Sequence, residues 1–246
     1  MLIWIALFLL VIAASFILAL KSMKDFAERP ETSKTIYSLY LIHHPEVLTS
    51  QALEELYQKV ASKNFILSWE KLFKGPRQAL VIYGPSNILK DYRKSWGLLE
   101  LEDYSKKVGD DVKAWEVGLK NSAQKLDAKG ELFGASLQLA ERQEFWWQVI
   151  VRPAKVEEGK ETSYRANVRV VFQTGGDEGI SETELAKIGS QANLTALPQS
   201  YTSQQLVQLY MERSFPQGKI ASLQKEGVPL KVTIEEVRFL LGLKIV

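Results

Sequence analysis

Thr35-Ile-Tyr-Ser-Leu-Tyr-Leu-Ile42 opens the stretch that decides the fold. It is rich in β-branched and aromatic residues and reads as a strand covered on both faces, ended by His43-His44-Pro45. Thr49 or Ser50 then caps a helix running to about Ser62, whose apolar positions Leu53, Leu56, Tyr57 and Val60 recur at spacings of three and four. Two apolar runs follow, Phe65 to Phe73 and Gln78 to Tyr83, split by Gly75-Pro76, which is the pattern of a hairpin. Pro85-Ser86 starts a second helix with Ile88, Leu89, Tyr92 and Trp96 inward, and Gly97 to Glu102 returns as a strand. The order β-α-β-β-α-β predicts a ferredoxin-like α+β unit over residues 34–104.

Toward the C-terminus a charged linker, residues 105–113, leads to a second, degenerate unit over 114–200. Ala114 to Leu119 is its first strand, and Leu132, Phe133, Leu137 and Ala140 make a helical stripe. Glu144 to Val151 and Tyr164 to Gln173 are strands around a polar loop, Pro153 to Ser163. Ser181 and Glu184 form a capping box ahead of Leu185 and Ile188. Residues 191–200 are ambiguous, so this copy lacks a recognisable closing strand. Residues 201–246 read as short helices, with capping boxes at Thr202/Gln205 and Thr233/Glu236 leading Leu206, Leu209, Tyr210 and then Val237, Leu240, Leu241.

Toward the N-terminus, Leu2–Leu20 is nineteen residues without a charge, enough for a helix to cross a hydrocarbon core of about 30 Å. The residues before Lys21 read Ile17-Leu18-Ala19-Leu20, a poor cleavage site, which favours an uncleaved anchor. Residues 21–33 form a tether. Lys21, Lys24 and Arg29 flank the span on its C-terminal side, and basic residues near a span favour the cytoplasmic side. The expectation is a single-pass protein of the cell (inner) membrane with its C-terminal region in the cytoplasm.

The chain carries 31 basic and 29 acidic residues, a net charge of +2, which offers no electrostatic case for wrapping a polyanion. It has no cysteine, which excludes disulfides and thiolate chemistry and suits a reducing compartment. Gly159-Lys160-Glu161 lacks the upstream glycine and the Ser or Thr of a phosphate-binding loop, and Gly175-Gly176-Asp177 reads as a turn. The only histidines, His43 and His44, are adjacent and read as a polar strand terminus. Glu54-Glu55, Glu157-Glu158 and Glu235-Glu236 fall on helix faces or in a loop, where solvation explains them. No catalytic residue, metal ligand or cofactor site is expected, and the chain reads as a non-enzyme.

If Trp147, Val149 and Val151 face the helices, Trp146 and Arg152 project from the other face, where Arg165 and Arg169 can join them. Such a face has three readings: solvated surface, protein contact, or stacking of single-stranded nucleic acid by a membrane-tethered binder.

Three local patterns resemble a known family: Trp146-Trp-Gln-Val-Ile-Val-Arg-Pro-Ala154, Val168-Arg-Val-Val-Phe172, and Thr233-Ile-Glu-Glu-Val-Arg-Phe-Leu-Leu-Gly-Leu243. They resemble the N-terminal, non-ATPase region of bacterial membrane-anchored conjugation and type IV secretion ATPases (coupling proteins), across most of residues 35–243. In that family the terminal helix leads into a P-loop ATPase domain, which this chain is expected to lack. The resemblance implies a membrane-proximal assembly platform that docks other secretion-machine proteins, with its ATPase encoded separately. It carries over no catalytic residue.

Overall fold

The computed structural model describes residues 35–109, 111–119, 125–128, 132–133, 139–153, 163–173, 192–197, 201–214 and 230–243. The anchor Leu2–Leu20, the tether with Lys21, Lys24 and Arg29, most of the 132–140 stripe and the Ser181–Ile188 helix lie outside them. Among the described residues no helix is long and apolar enough to cross a membrane.

The first half runs β1 (Tyr37–Ile42), α1 (Ser50–Ala61), β2 (Leu67–Lys74), β3 (Arg77–Pro85), α2 (Ser86–Leu89) and β4 (Leu98–Leu101). Thr49 caps α1 by accepting from the Ala52 N–H at 3.2 Å. The β2–β3 turn places Gly75 first, at φ +51°, the positive value a two-residue hairpin loop calls for at that position. Helix α2 is shorter than its apolar pattern predicts. A 3-10 turn, Lys90–Tyr92, follows it, and Gly97 at φ +59° turns the chain into β4. Its inward residues Ile88, Leu89, Tyr92 and Trp96 are nonetheless buried.

The second half runs β5 (Val112–Leu119), β6 (Glu144–Pro153), β7 (Tyr164–Gln173) and β8 (Leu194–Ala196). Strand β8 lies within the stretch that sequence pattern left ambiguous: three residues, one of them buried, are too few to show an alternation. The C-terminal part holds α3 (Ser203–Glu212), β9 (Leu230–Val232) and α4 (Ile234–Leu240). The expectation of helices alone over 201–246 is therefore corrected by β9, which pairs with β7 through Arg165↔Lys231 and its neighbours. Both capping boxes predicted over 201–246 form, at Thr202/Gln205 and at Thr233/Glu236.

All strands join one antiparallel sheet in the order β4-β1-β3-β2-β6-β7-β5-β8, with β9 beside β7. Each half repeats one order, its fourth strand beside its first, then its third, then its second. The halves meet edge to edge where β2 pairs with β6, from Leu67↔Val151 to Lys74↔Glu144. That pairing satisfies the backbone donors and acceptors that two separate units would leave exposed along those edges.

Strand alternation sorts side chains onto two faces. One carries Trp69, Trp147, Val149, Val168 and Val170, packed with Leu53, Leu56, Tyr57 and Val60 of α1 and Val237 and Leu240 of α4. Trp69 and Trp147 are fully buried, and truncating a Trp so placed to Ala costs about 3–5 kcal/mol. On the other face Ala114, Trp146 and Val171 meet Leu206, Val207 and Tyr210 of α3.

Candidate interaction site

Strand parity places Trp146, Arg152, Arg165 and Arg169 on the α3 side of the sheet, as alternation predicts. They do not form one open patch. Trp146 is 4% exposed and Arg169 1%, both beneath α3. Arg152 and Arg165 sit directly opposite one another at the far end of β6 and β7, six residues or about 20 Å along the strand from Trp146. Trp146 thus shows no ring face on which a base could stack, which removes the basis of the nucleic-acid reading at this position. Arg169 donates to the carbonyls of Leu209 at 2.8 Å and Ser214 at 2.7 Å, and its burial lowers its pKa to about 10.

The centre of this face holds a buried polar network that sequence pattern did not reveal. Arg213 ends α3 in the left-handed conformation, φ 49° and ψ 39°, a position that favours Gly or Asn. From there its guanidinium reaches Glu70 of β2 (Nε to Oε1, 2.8 Å) and Asp103 after β4 (3.0 and 3.1 Å), and lies 4.7 Å over the Tyr83 ring. The side chains of Arg213 and Glu70 are 2% and 0% exposed. Glu70 also accepts from Ser68 at 3.2 Å, Gln148 at 3.1 Å and the Tyr104 hydroxyl. Gln148 donates in addition to the Tyr210 carbonyl at 2.9 Å. Burial, reinforced by the charge of Glu70, pushes the Tyr104 and Tyr210 hydroxyls well above their usual range, so both stay protonated as hydrogen-bond partners. Burial alone would raise Asp103, but the Arg213 and Ser105 bonds outweigh it and hold its carboxyl below the usual range. With its lone pairs filled, Glu70 acts as a clamp between the sheet and the end of α3. The one local sign of it in the sequence is Gln148, a polar residue between Trp147 and Val149 in a strand at the centre of the sheet.

Beside this network a cleft of about 540 Å³ opens near the β2–β3 turn. Leu72, Ala79, Tyr104 and Trp146 form its floor, and Lys74, Arg77, Lys107 and Glu144 its rim. Trp146 is held edge-on by Tyr104 (5.1 Å, 88°) and donates its indole N–H to Glu144 at 3.2 Å. The other Glu144 oxygen pairs with Lys74 at 2.5 Å. The floor is therefore preformed. Its size is that of a ligand site.

No protein-family model matches the chain, and comparison with curated proteins and with solved structures returns no similar protein. Among the described residues, no group of three or more His, Cys, Asp or Glu side chains is placed to hold a metal ion.

Proposed function

We propose that the chain is a membrane-anchored, non-catalytic docking subunit of a type IV secretion or conjugation-like machine, built on two ferredoxin-like units fused through β2 and β6. The strand orders β4-β1-β3-β2 and β8-β5-β7-β6 support the ferredoxin-like reading, since each is the strand order that a split βαβ unit would have. The observation that carries the docking reading is the cleft. Its floor draws Leu72 and Ala79 from one half and Trp146 from the other, so that a partner seated there grips the junction of a rigid platform. The carboxylates around it are tied into structural pairs: Glu144 by Lys74 and Trp146, Glu70 and Asp103 by Arg213. Such an arrangement suits binding more than turnover. The apolar segment Leu2–Leu20 and its basic flank support an anchor with the sheet on the cytoplasmic side.

Affinity capture of the detergent-solubilised full chain from its native membranes tests the assembly reading. Recovery of a P-loop ATPase or another secretion component is expected, and capture that brings down none would remove the reading. Orientation is tested separately by a reporter fused at Val246, which should be active on the cytoplasmic side.

A further inference from the structure

The docking reading does not say what the cleft holds. We infer that it takes an acidic peptide segment with an apolar or aromatic anchor residue, the anchor resting on Leu72, Ala79 and Trp146 and flanking carboxylates meeting Arg77 and Lys107. This deepens the docking reading and rests on it for the identity of the machine, not for the chemistry of the ligand.

Charge favours this occupant. Three cations rim the cleft against one carboxylate, in a chain whose whole net charge is +2. Lys74 is committed to Glu144, whereas Arg77 and Lys107 are exposed and form no ion pair among the described residues. They sit on different elements, Arg77 at the first residue of β3 and Lys107 at the end of the 3-10 turn Tyr104–Lys107, an arrangement suited to two separate carboxylates.

The floor supplies the other half of the recognition. Trp146 is locked between Tyr104, Tyr210 and Glu144, so an anchor meets a surface that loses little side-chain freedom on binding. Preorganised aromatic pockets with a charged rim are where binding energy concentrates in protein interfaces. Gln78 and Gln173 lie on the same rim. Gln173 accepts the Gly109 N–H through its carbonyl oxygen at 3.3 Å, so its amide N–H groups, which have no partner among the described residues, can meet peptide carbonyls. A nucleic acid fits less well, because its phosphates arrive with bases that need open ring faces, and Trp146 is only 4% exposed.

Fluorescence anisotropy of the purified full chain in detergent tests this with a labelled octapeptide alternating Asp and Glu with Phe and Leu. Saturable binding is expected, weakened about 10-fold or more by Arg77→Glu with Lys107→Glu, because reversed rim charges oppose the carboxylates. Arg77→Gln with Lys107→Gln should weaken it less, and Lys90→Glu with Lys94→Glu, an equal charge change elsewhere, should leave it unchanged. The inference is overturned if an all-acidic octapeptide binds as tightly, if the Lys90/Lys94 pair weakens binding as much, or if only single-stranded oligothymidine binds in an Arg77- and Lys107-dependent way. Peptide binding in a protein that captures no secretion ATPase upholds the ligand class and removes the assembly reading. Capture of that ATPase undiminished by the Arg77/Lys107 reversal, with no peptide binding, does the reverse.

Discussion

The two halves of the sheet share one strand order and differ in what they place on the α3 side. In the first half that face is apolar on β1, β3 and β4, and its buried polar groups, Ser68 and Glu70, lie on β2 at the junction. Leu39 and Val81 are buried, Leu41 and Tyr83 half-buried, and Leu99 on the outer strand is 51% exposed. In the second half polar residues are buried on every long strand of that face, between the apolar Ala114, Trp146 and Val171: Glu116, Gln148, Asn167 and Arg169 are all 8% exposed or less. A half-exposed apolar strand costs little beyond lost burial, whereas a buried polar group without a partner costs its full desolvation. The second half therefore depends on its cover. Helix α3 supplies backbone carbonyls for Gln148 and Arg169, Asn167 bonds Glu116 within the sheet, and Arg213 at the end of α3 closes the network on Glu70.

The largest expected effect tests that dependence. Arg213→Ala leaves Glu70 buried with its charge partner gone, and breaking one side of a buried ion pair costs about 3–5 kcal/mol. Urea denaturation should show the midpoint falling accordingly. Glu70→Leu with Arg213→Leu removes both charges together and should cost clearly less than Arg213→Ala alone. If Arg213→Ala costs under about 1 kcal/mol, within the range of an exposed pair, the clamp is not what holds the end of α3 to the sheet.

A smaller effect separates the two faces. Thr202→Ala and Thr233→Ala each remove a capping box and should each cost about 1 kcal/mol, read as equal shifts in the unfolding midpoint. Their local consequences should differ. Loss of the α3 cap should raise amide exchange in β6 and β7 of the second half, while loss of the α4 cap should loosen α1, to which α4 is tied by Arg238 and Glu235 through Ser50. Equal exchange profiles for the two variants would erase the distinction between the faces.

The elements with strong periodicity were legible in the sequence. The 3.6-residue stripe of α1, the Gly75-Pro76 hairpin, the alternation in β7 and both capping boxes are local patterns, and local patterns survive in a single sequence. Strands β8 and β9 were not legible, because three residues carry no period and owe their place to strands distant in the chain. The parity of Trp146, Arg152, Arg165 and Arg169 was correct, but their exposure could not follow from it. Whether a face is open depends on where α3 packs, and Leu206, Val207 and Tyr210 read equally well as a stripe facing any surface. The Glu70–Arg213 clamp joins residues 143 positions apart, so neither residue looked unusual in its own neighbourhood. The cleft escaped for the same reason: its floor is assembled from β2, β3, β6 and the turn after β4.

The mildest test of the comparison is a titration. Asp103 is the more exposed carboxylate of the clamp, at 29% against 0% for Glu70. Burial acts to raise its pKa, but hydrogen bonds from Arg213 and Ser105 prevail and hold it below its ordinary value of 3.8. A carboxylate whose folded pKa is depressed contributes stability above its unfolded pKa and loses it as pH falls through the folded one. Stability should therefore be flat near neutrality with respect to Asp103 and decline below about pH 4. Asp103→Asn should lower the neutral-pH midpoint and flatten the acid limb, because the titrating group is gone while Arg213 keeps Glu70. An unchanged acid limb in that variant would place the acid sensitivity elsewhere and reduce Asp103 to a bystander of the Glu70–Arg213 pair.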